Sequence, residues 1–265
     1  MNFGLISRFS ILCCIACTPF KPTEVEPVFQ SLNGLDWKVK FSDSCTDDWN
    51  KSWFLDGKKA TIDNSELGMY FYAGPIAQDP AHHAVLWTKE SFEGDLKIEY
   101  EYTRLDSSKQ FVTILYLLTT GSDRMGFDKD ISKWSNHRET PYMRRYFNSM
   151  NSLHISYAAF GIKLLETPQQ YLRARRYRPD LKQGLKGTDL GAFDLKKFFE
   201  TGVKHYIQVI KKDRKILMKI TNDENSRVFI WHFQDHPQLT AGIVGLRHMA
   251  TRGALYKNIR IYQLE

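Results

Sequence analysis

From Tyr171 to Tyr177 the chain reads Tyr-Leu-Arg-Ala-Arg-Arg-Tyr, and as a β-strand this would set Tyr171, Arg173, Arg175 and Tyr177 on one face. Arginines alternating along a strand face repel one another unless something anionic lies between them. A guanidinium grips a planar carboxylate, while tyrosine and histidine can pass protons to and from a sugar. With His154, the set suits β-elimination from an acidic polysaccharide. That reaction needs a neutraliser for the uronate carboxylate, a base for the C5 proton and an acid for the departing oxygen. Packing is the competing reading: a tyrosine stacks on strand neighbours, and a histidine serves equally well as a satisfied core or edge residue.

Other side chains could line the same groove. Trp87 and Trp134 could stack on the apolar face of a pyranose, leaving Trp37, Trp49, Trp53 and Trp231 for the core. His83 precedes a strand at a loop mouth, His137 and Arg138 lie in a long irregular stretch, and Arg247 and His248 end a strand, so each could reach a groove rim. Glu99 and Glu101 alternate on one strand and read more simply as a solvated face. His82 and His83 lack zinc-site spacing, so no metal ligands are assigned.

The elements that would position these groups are strands. From Leu35 onward short period-two runs are punctuated by Gly, Asp, Asn and Pro, which predicts an all-β chain of antiparallel sheets. In Leu96–Arg104, Ile98, Tyr100 and Tyr102 should face a core; Phe111–Thr119 is apolar on both faces and belongs mid-sheet. A helix is expected over Asp194–Glu200 and another short one near Met143–Met150, within a long loop from Gly121 to Asn151.

With 265 residues, 42% of them hydrophobic, the chain suits one domain, expected over 35–265. Its apolar run from Ile11 to Ala16 is too short to span a bilayer and reads as a secretory signal over 1–17; the alternative to lipid attachment is a plain signal cleaved nearby. Residues 18–34, with Pro22 and Pro27, read as a tether. Beyond the signal only Cys45 remains, so no disulfide framework can form. A net charge of +7 calls for an acidic partner. Export favours a polysaccharide or oligosaccharide over nucleic acid.

Three resemblances add to this. Cys14-Ile15-Ala16-Cys17 resembles a bacterial lipobox, which implies a secreted lipoprotein, outer-membrane or periplasmic, touching the membrane only through its lipid anchor. The segments Phe92-Glu93-Gly94-Asp95-Leu96-Lys97-Ile98-Glu99, Gly242-Ile243-Val244-Gly245-Leu246-Arg247 and Tyr256-Lys257-Asn258-Ile259-Arg260-Ile261 resemble the YesU-like family, a domain of unknown function in the concanavalin-A-like superfamily. That resemblance covers Leu35 onward and implies a β-jelly-roll sandwich of two antiparallel sheets with a concave groove, linked to polysaccharide breakdown. Elimination by Arg, His and Tyr requires no cofactor; structural calcium occurs in this fold class, although no Asp/Asn run here has calcium-loop spacing. Tyr171-Leu172-Arg173-Ala174-Arg175-Arg176-Tyr177 also resembles the Y-x-K-A-x-x-Y motif of jelly-roll alginate lyases. His154-Ile155-Ser156 matches their Q-I-H motif out of phase, and Glu101 stands where they carry an arginine.

On this reading Tyr177 is the acid, His154 the base, and Arg173 or Arg175 the neutraliser of a polysaccharide lyase. A glycoside hydrolase of the same fold and a non-catalytic glycan-binding lipoprotein are the alternatives. The E-x-D-x-x-E pattern of laminarinase-like hydrolases is absent.

Overall fold

The period-two segments fold as antiparallel strands, and the side chains their alternation turns inward meet between two sheets. A computed structural model describes residues 22–161 and 170–264. In chain order the elements are α1 (Pro22–Asn33), β1 (Trp37–Asp43), β2 (Trp53–Asp56), β3 (Thr61–Ser65), β4 (Gly68–Tyr72), β5 (Ala84–Thr88), β6 (Phe92–Glu93), β7 (Leu96–Arg104), β8 (Thr113–Gly121), α2 (Met143–Ser149), β9 (Met150–Phe160), β10 (Gln170–Tyr177), β11 (Asp189–Leu195), β12 (Lys204–Lys212), β13 (Lys215–Thr221), β14 (Ser226–His232), β15 (Ala241–His248) and β16 (Gly253–Leu264). The first sheet runs β14-β13-β12-β7-β16-β4-β3, with β1 also on β16. The second runs β11-β10-β9-β8-β15-β5-β2, with β6 also on β15.

Both sheets are antiparallel throughout, and their facing sides bury one continuous core. Ile98, Tyr100 and Tyr102 of β7 enter it as their alternation predicts, with Tyr157 of β9 and Tyr256 of β16. Strand β8 sits mid-sheet between β9 and β15 and is covered on both faces, so its apolar residues need not alternate with polar ones. The outward face of the second sheet carries a further apolar cluster under residues 127–149, and a third lies beneath α1.

Helix α1 corrects the tether reading of residues 22–33. Val25, Val28, Phe29 and Leu32 recur at helical spacing, and Val25 and Phe29 bury against Ile210 of β12 and Leu217 of β13. The strip offers enough apolar area to outweigh the single backbone hydrogen bond that Pro27 forfeits. The signal and lipobox residues, Met1 to Cys17, lie outside the described residues. Among the described residues no helix is long and apolar enough to cross a membrane.

The helix expected over Asp194–Glu200 does not form. Asp194 pairs with Tyr171 in the β11–β10 ladder, Lys197 and Phe199 adopt left-handed φ of 66° and 58°, and both Phe198 and Phe199 bury in the core. Core insertion of adjacent phenylalanines overrides the local helical pattern. The long Gly121–Asn151 stretch holds α2 and a kinked 3-10 segment, Ile131–Arg138, both laid on the second sheet.

Candidate functional site

Two register rows across the second sheet assemble the site. In the first, Arg175 lies opposite His154, His154 opposite Tyr116, Tyr116 opposite Gly245, Gly245 opposite Trp87, and Trp87 opposite Phe54. In the second, Arg173 lies opposite Ser156, Ser156 opposite Ile114, Ile114 opposite Arg247, Arg247 opposite Val85, and Val85 opposite Asp56. Neighbouring strands are about 4.8 Å apart, so residues remote in sequence become side-chain neighbours. A bulge in β9, with Ala158 at φ 43°, lets Tyr157 and Ala158 enter the core while His154 and Ser156 keep the outward face. Gly245 is required here, because a Cβ would lie 2.4 Å from the Trp87 ring, which stacks on Tyr116 with centroids 5.2 Å apart.

At the centre, a short hydrogen bond joins His154 Nδ1 to the Tyr177 hydroxyl, and Ser156 Oγ lies 2.6 Å from His154 Nε2. Burial holds the His154 pKa well below its ordinary value, and the charges of Arg175, Arg247 and Arg173 push it the same way. Burial likewise holds Tyr177 well above the usual phenol range. Both partners are therefore neutral near pH 7. Arg173 and Arg175 share one carboxylate oxygen, Asp189 Oδ2, at 3.5 and 3.3 Å. Two guanidiniums on one carboxylate leave a net positive charge on this part of the sheet face. Their side chains are 16% and 15% exposed and Tyr171 is half-buried, its ring 5.4 Å from the Arg173 guanidinium. These three form the open part of the site, while His154 (3% exposed) and Tyr177 (0%) lie below it.

Several expected contacts are corrected. Trp87 is no sugar platform: it is fully buried, stacked against both Tyr116 and Tyr146, and its Nε1 donates to Asp56 Oδ2 at 2.7 Å. Trp134 is buried too, donating to Asp128 O at 3.0 Å with the Arg138 guanidinium 4.3 Å from its ring centroid. Arg138 is spent on Asp56 at 2.6 Å. His83 accepts the Ala250 N–H at 2.8 Å, and burial drives its pKa down to about 3. His248 points the other way, into the core between the sheets, stacked on Phe71 at 4.4 Å with Nε2 2.8 Å from the Tyr256 hydroxyl. His137 is exposed, its ring edge-on to Phe127. Arg247 belongs to the cluster but is fully buried.

Of the three segments set against the alginate-lyase motifs, only two come together in the fold. His154-Ile155-Ser156 and Tyr171–Tyr177 lie on adjacent strands of the second sheet, whereas Glu99 and Glu101 sit on the first. Glu99 accepts from Gln208 Nε2 at 2.9 Å and from the Tyr262 hydroxyl at 2.8 Å, and Glu101 accepts from Asn258 Nδ2 at 2.8 Å. Sequence reasoning missed Tyr116, Ser156 and Asp189 as site members, and Asp56 at the far edge of the same sheet. Tyr116 is hidden in a two-faced apolar run, and Asp56 is one carboxylate with no motif around it. Among the described residues, no three His, Cys, Asp or Glu side chains gather as a metal site.

The chain is similar to a protein of unknown function with a galectin-like fold from Bacillus subtilis, at 17% identity over 86% of this chain and 98% of that one, with a TM-score of 0.66. It is also similar to the exoplasmic/lumenal domain of VIP36 in a form bound to Ca2+ and Man3GlcNAc, at 11% identity, covering 86% of this chain and 90% of that one, TM-score 0.56. A legume lectin-like domain from Entamoeba histolytica gives 9% identity, 85% and 97% coverage, and a TM-score of 0.54. At such identities the likeness fixes the fold, a concanavalin-A-like jelly roll. No curated protein matches the sequence. Residues 41–261 match the model of one family, and the chain accordingly belongs to DUF1961, a domain of unknown function.

Proposed function

We propose that the outward face of the second sheet binds an acidic glycan, with Arg173 and Arg175 gripping its carboxylates and Tyr171 lying against a sugar ring. The carrying observation is the shared Asp189: two guanidiniums at 3.5 and 3.3 Å from one carboxylate oxygen leave a groove with uncompensated positive charge. The similar VIP36 domain was crystallised with Man3GlcNAc, which supports a sugar on this fold. The lipobox-like Cys14-Ile15-Ala16-Cys17 supports presentation outside the cytoplasm as a lipid-anchored protein. Retardation in gels containing alginate, polygalacturonate or a neutral glucan tests the reading. Acidic polymers should retard the protein, less so as salt rises, and Arg173→Ala/Arg175→Ala should abolish it. Equal retardation by the neutral glucan would refute it.

A second reading, eliminative cleavage, rests on the direct contact between His154 and Tyr177 beneath those arginines. An imidazole held neutral can accept the C5 proton, and a phenol held protonated can supply one to the leaving oxygen. Cleavage creates a conjugated product absorbing near the ultraviolet edge, which binding alone does not.

A further inference from the structure

We propose that Arg247 is the anchor of a buried oxyanion site beneath α2, which receives a carboxylate group of the acidic glycan. The link to a glycan rests on the reading above; the anion site itself rests on how the buried arginines are neutralised. Arg138 has Asp56, and Arg104 and Arg252 share Asp106. Arg176 donates to two backbone carbonyls, those of Pro237 and Tyr177. Arg247 is 0% exposed and donates from Nη2 to Pro141 O at 2.7 Å, yet its Nε and Nη1 have no hydrogen-bond partner. Among the described residues no carboxylate forms an ion pair with it. Its guanidinium lies 4.5 Å from the Tyr146 ring centroid. A cation–π contact returns about 2 kcal/mol, whereas removing an ion from water costs several.

The surroundings of Arg247 suit an anion. Burial raises the pKa of the Tyr116 hydroxyl, which the Arg247 charge opposes; the hydroxyl lies beside Arg247 and Tyr177, with Met143 Sδ at 3.9 Å. Tyr116 in turn neighbours Tyr177, and the Arg247 charge reaches His154 and His83 as well. An oxyanion placed here would meet two unused guanidinium donors and a phenol, in surroundings where positive charge is uncompensated. Asp56 stands two strands away in the same register row; its Oδ2 accepts from Arg138, Trp87 and Tyr146, its Oδ1 has no hydrogen-bond partner, and it forms no ion pair with Arg247. Met143, half-buried, lies beside the Tyr116 hydroxyl, and as an unbranched thioether it is a side chain that can give way to a ligand.

Thermal unfolding in sodium acetate against sodium chloride at matched ionic strength tests the site. Acetate should raise the wild-type Tm, because a ligand of the folded state stabilises it by mass action. Arg247→Met should be no less stable than wild type in chloride, since it removes an unpaired buried charge, and should lose the acetate shift. Arg247→Lys, which keeps the charge but not the planar donors, should show a reduced shift; it serves as the reading if the methionine variant does not fold. No acetate shift in the wild type, or an undiminished one in both variants, overturns the site. Affinity for an acidic polymer should fall about tenfold or more in Arg247→Met, as for loss of a charged hydrogen bond. If that affinity is unchanged while Arg173→Ala/Arg175→Ala loses it, the link to the glycan fails and the groove reading stands. If acetate stabilises the wild type but no polymer binds, the groove reading fails and the anion site stands.

Discussion

Asp56 Oδ2 lies 2.6 Å from Arg138 Nε and accepts in addition from Trp87 Nε1 at 2.7 Å and the Tyr146 hydroxyl at 3.0 Å. One carboxylate oxygen thus ties β2 and β5 to both parts of the cover over the second sheet. Because the pair is fully buried, removing one partner strands the other's charge. Asp56→Ala should destabilise the protein by about 3–5 kcal/mol in urea unfolding. Asp56→Ala/Arg138→Met should recover part of that loss, since no unpaired charge remains. Hydrogen exchange should rise first over residues 131–149, where two of the three released donors, Arg138 and Tyr146, reside.

How much of this was legible in the sequence depends on what each residue's pattern encodes. Tyr171, Arg173, Arg175 and Tyr177 were readable because a strand repeats every two residues, and they do share the groove face. The pairing of His154 with Tyr177 follows from the order of strands in the sheet, which alternation does not specify. His248 shows the limit: its place with Arg247 at a strand end suggests a groove rim, but adjacent strand residues point to opposite faces, and His248 enters the core. Trp87 and Trp134 read as sugar platforms in the sequence because it does not reveal that α2 and its preceding segment cover that part of the sheet.

Helix α1 makes a stability prediction of its own. Phe29 is 1% exposed and packs with Val25 on Ile210 and Leu217, covering apolar residues on the outer face of the first sheet. Phe29→Ala should cost about 3 kcal/mol, the lower end for loss of a buried phenyl ring. Chemical denaturation checks it: a change under 1 kcal/mol would mean that the helix is a dispensable tether.

Buried neutral histidines set the acid side of the stability profile. Burial brings both His83 and His248 down to about 3, whereas the unfolded chain's imidazoles titrate near pH 6.5. Below about pH 6.5 the unfolded state binds protons that the folded state refuses, so stability is full above that pH and falls as pH drops toward 3. Each imidazole contributes up to about 1.4 kcal/mol per pH unit within the window. His248→Gln should flatten the dependence of unfolding free energy on pH between 6.5 and 5 by about one proton's worth. That range lies above the titration of Asp95 and Glu99, whose carboxyls are held low by their lysine and hydrogen-bond partners and whose contributions fade only in stronger acid.

Tyr177→Phe separates the two functional readings, because its consequences differ for a structural and a catalytic hydroxyl. In either case the change leaves His154 Nδ1 buried without its partner and should cost about 1–3 kcal/mol of stability. If the groove only binds, acidic-polymer affinity should stay within about threefold of wild type once measured below the lowered Tm, because Arg173, Arg175 and Tyr171 form the open contact surface. If the groove cleaves, the wild type should generate ultraviolet absorbance from a uronate polymer, and Tyr177→Phe should slow it by about a hundredfold or more at unchanged affinity, the loss expected for a proton-transfer group. The wild-type rate should then persist below pH 6, since the charges of Arg175, Arg247 and Arg173 join burial in keeping His154 unprotonated there. A rate that instead fell with an apparent pKa near 6.5 would assign the base elsewhere.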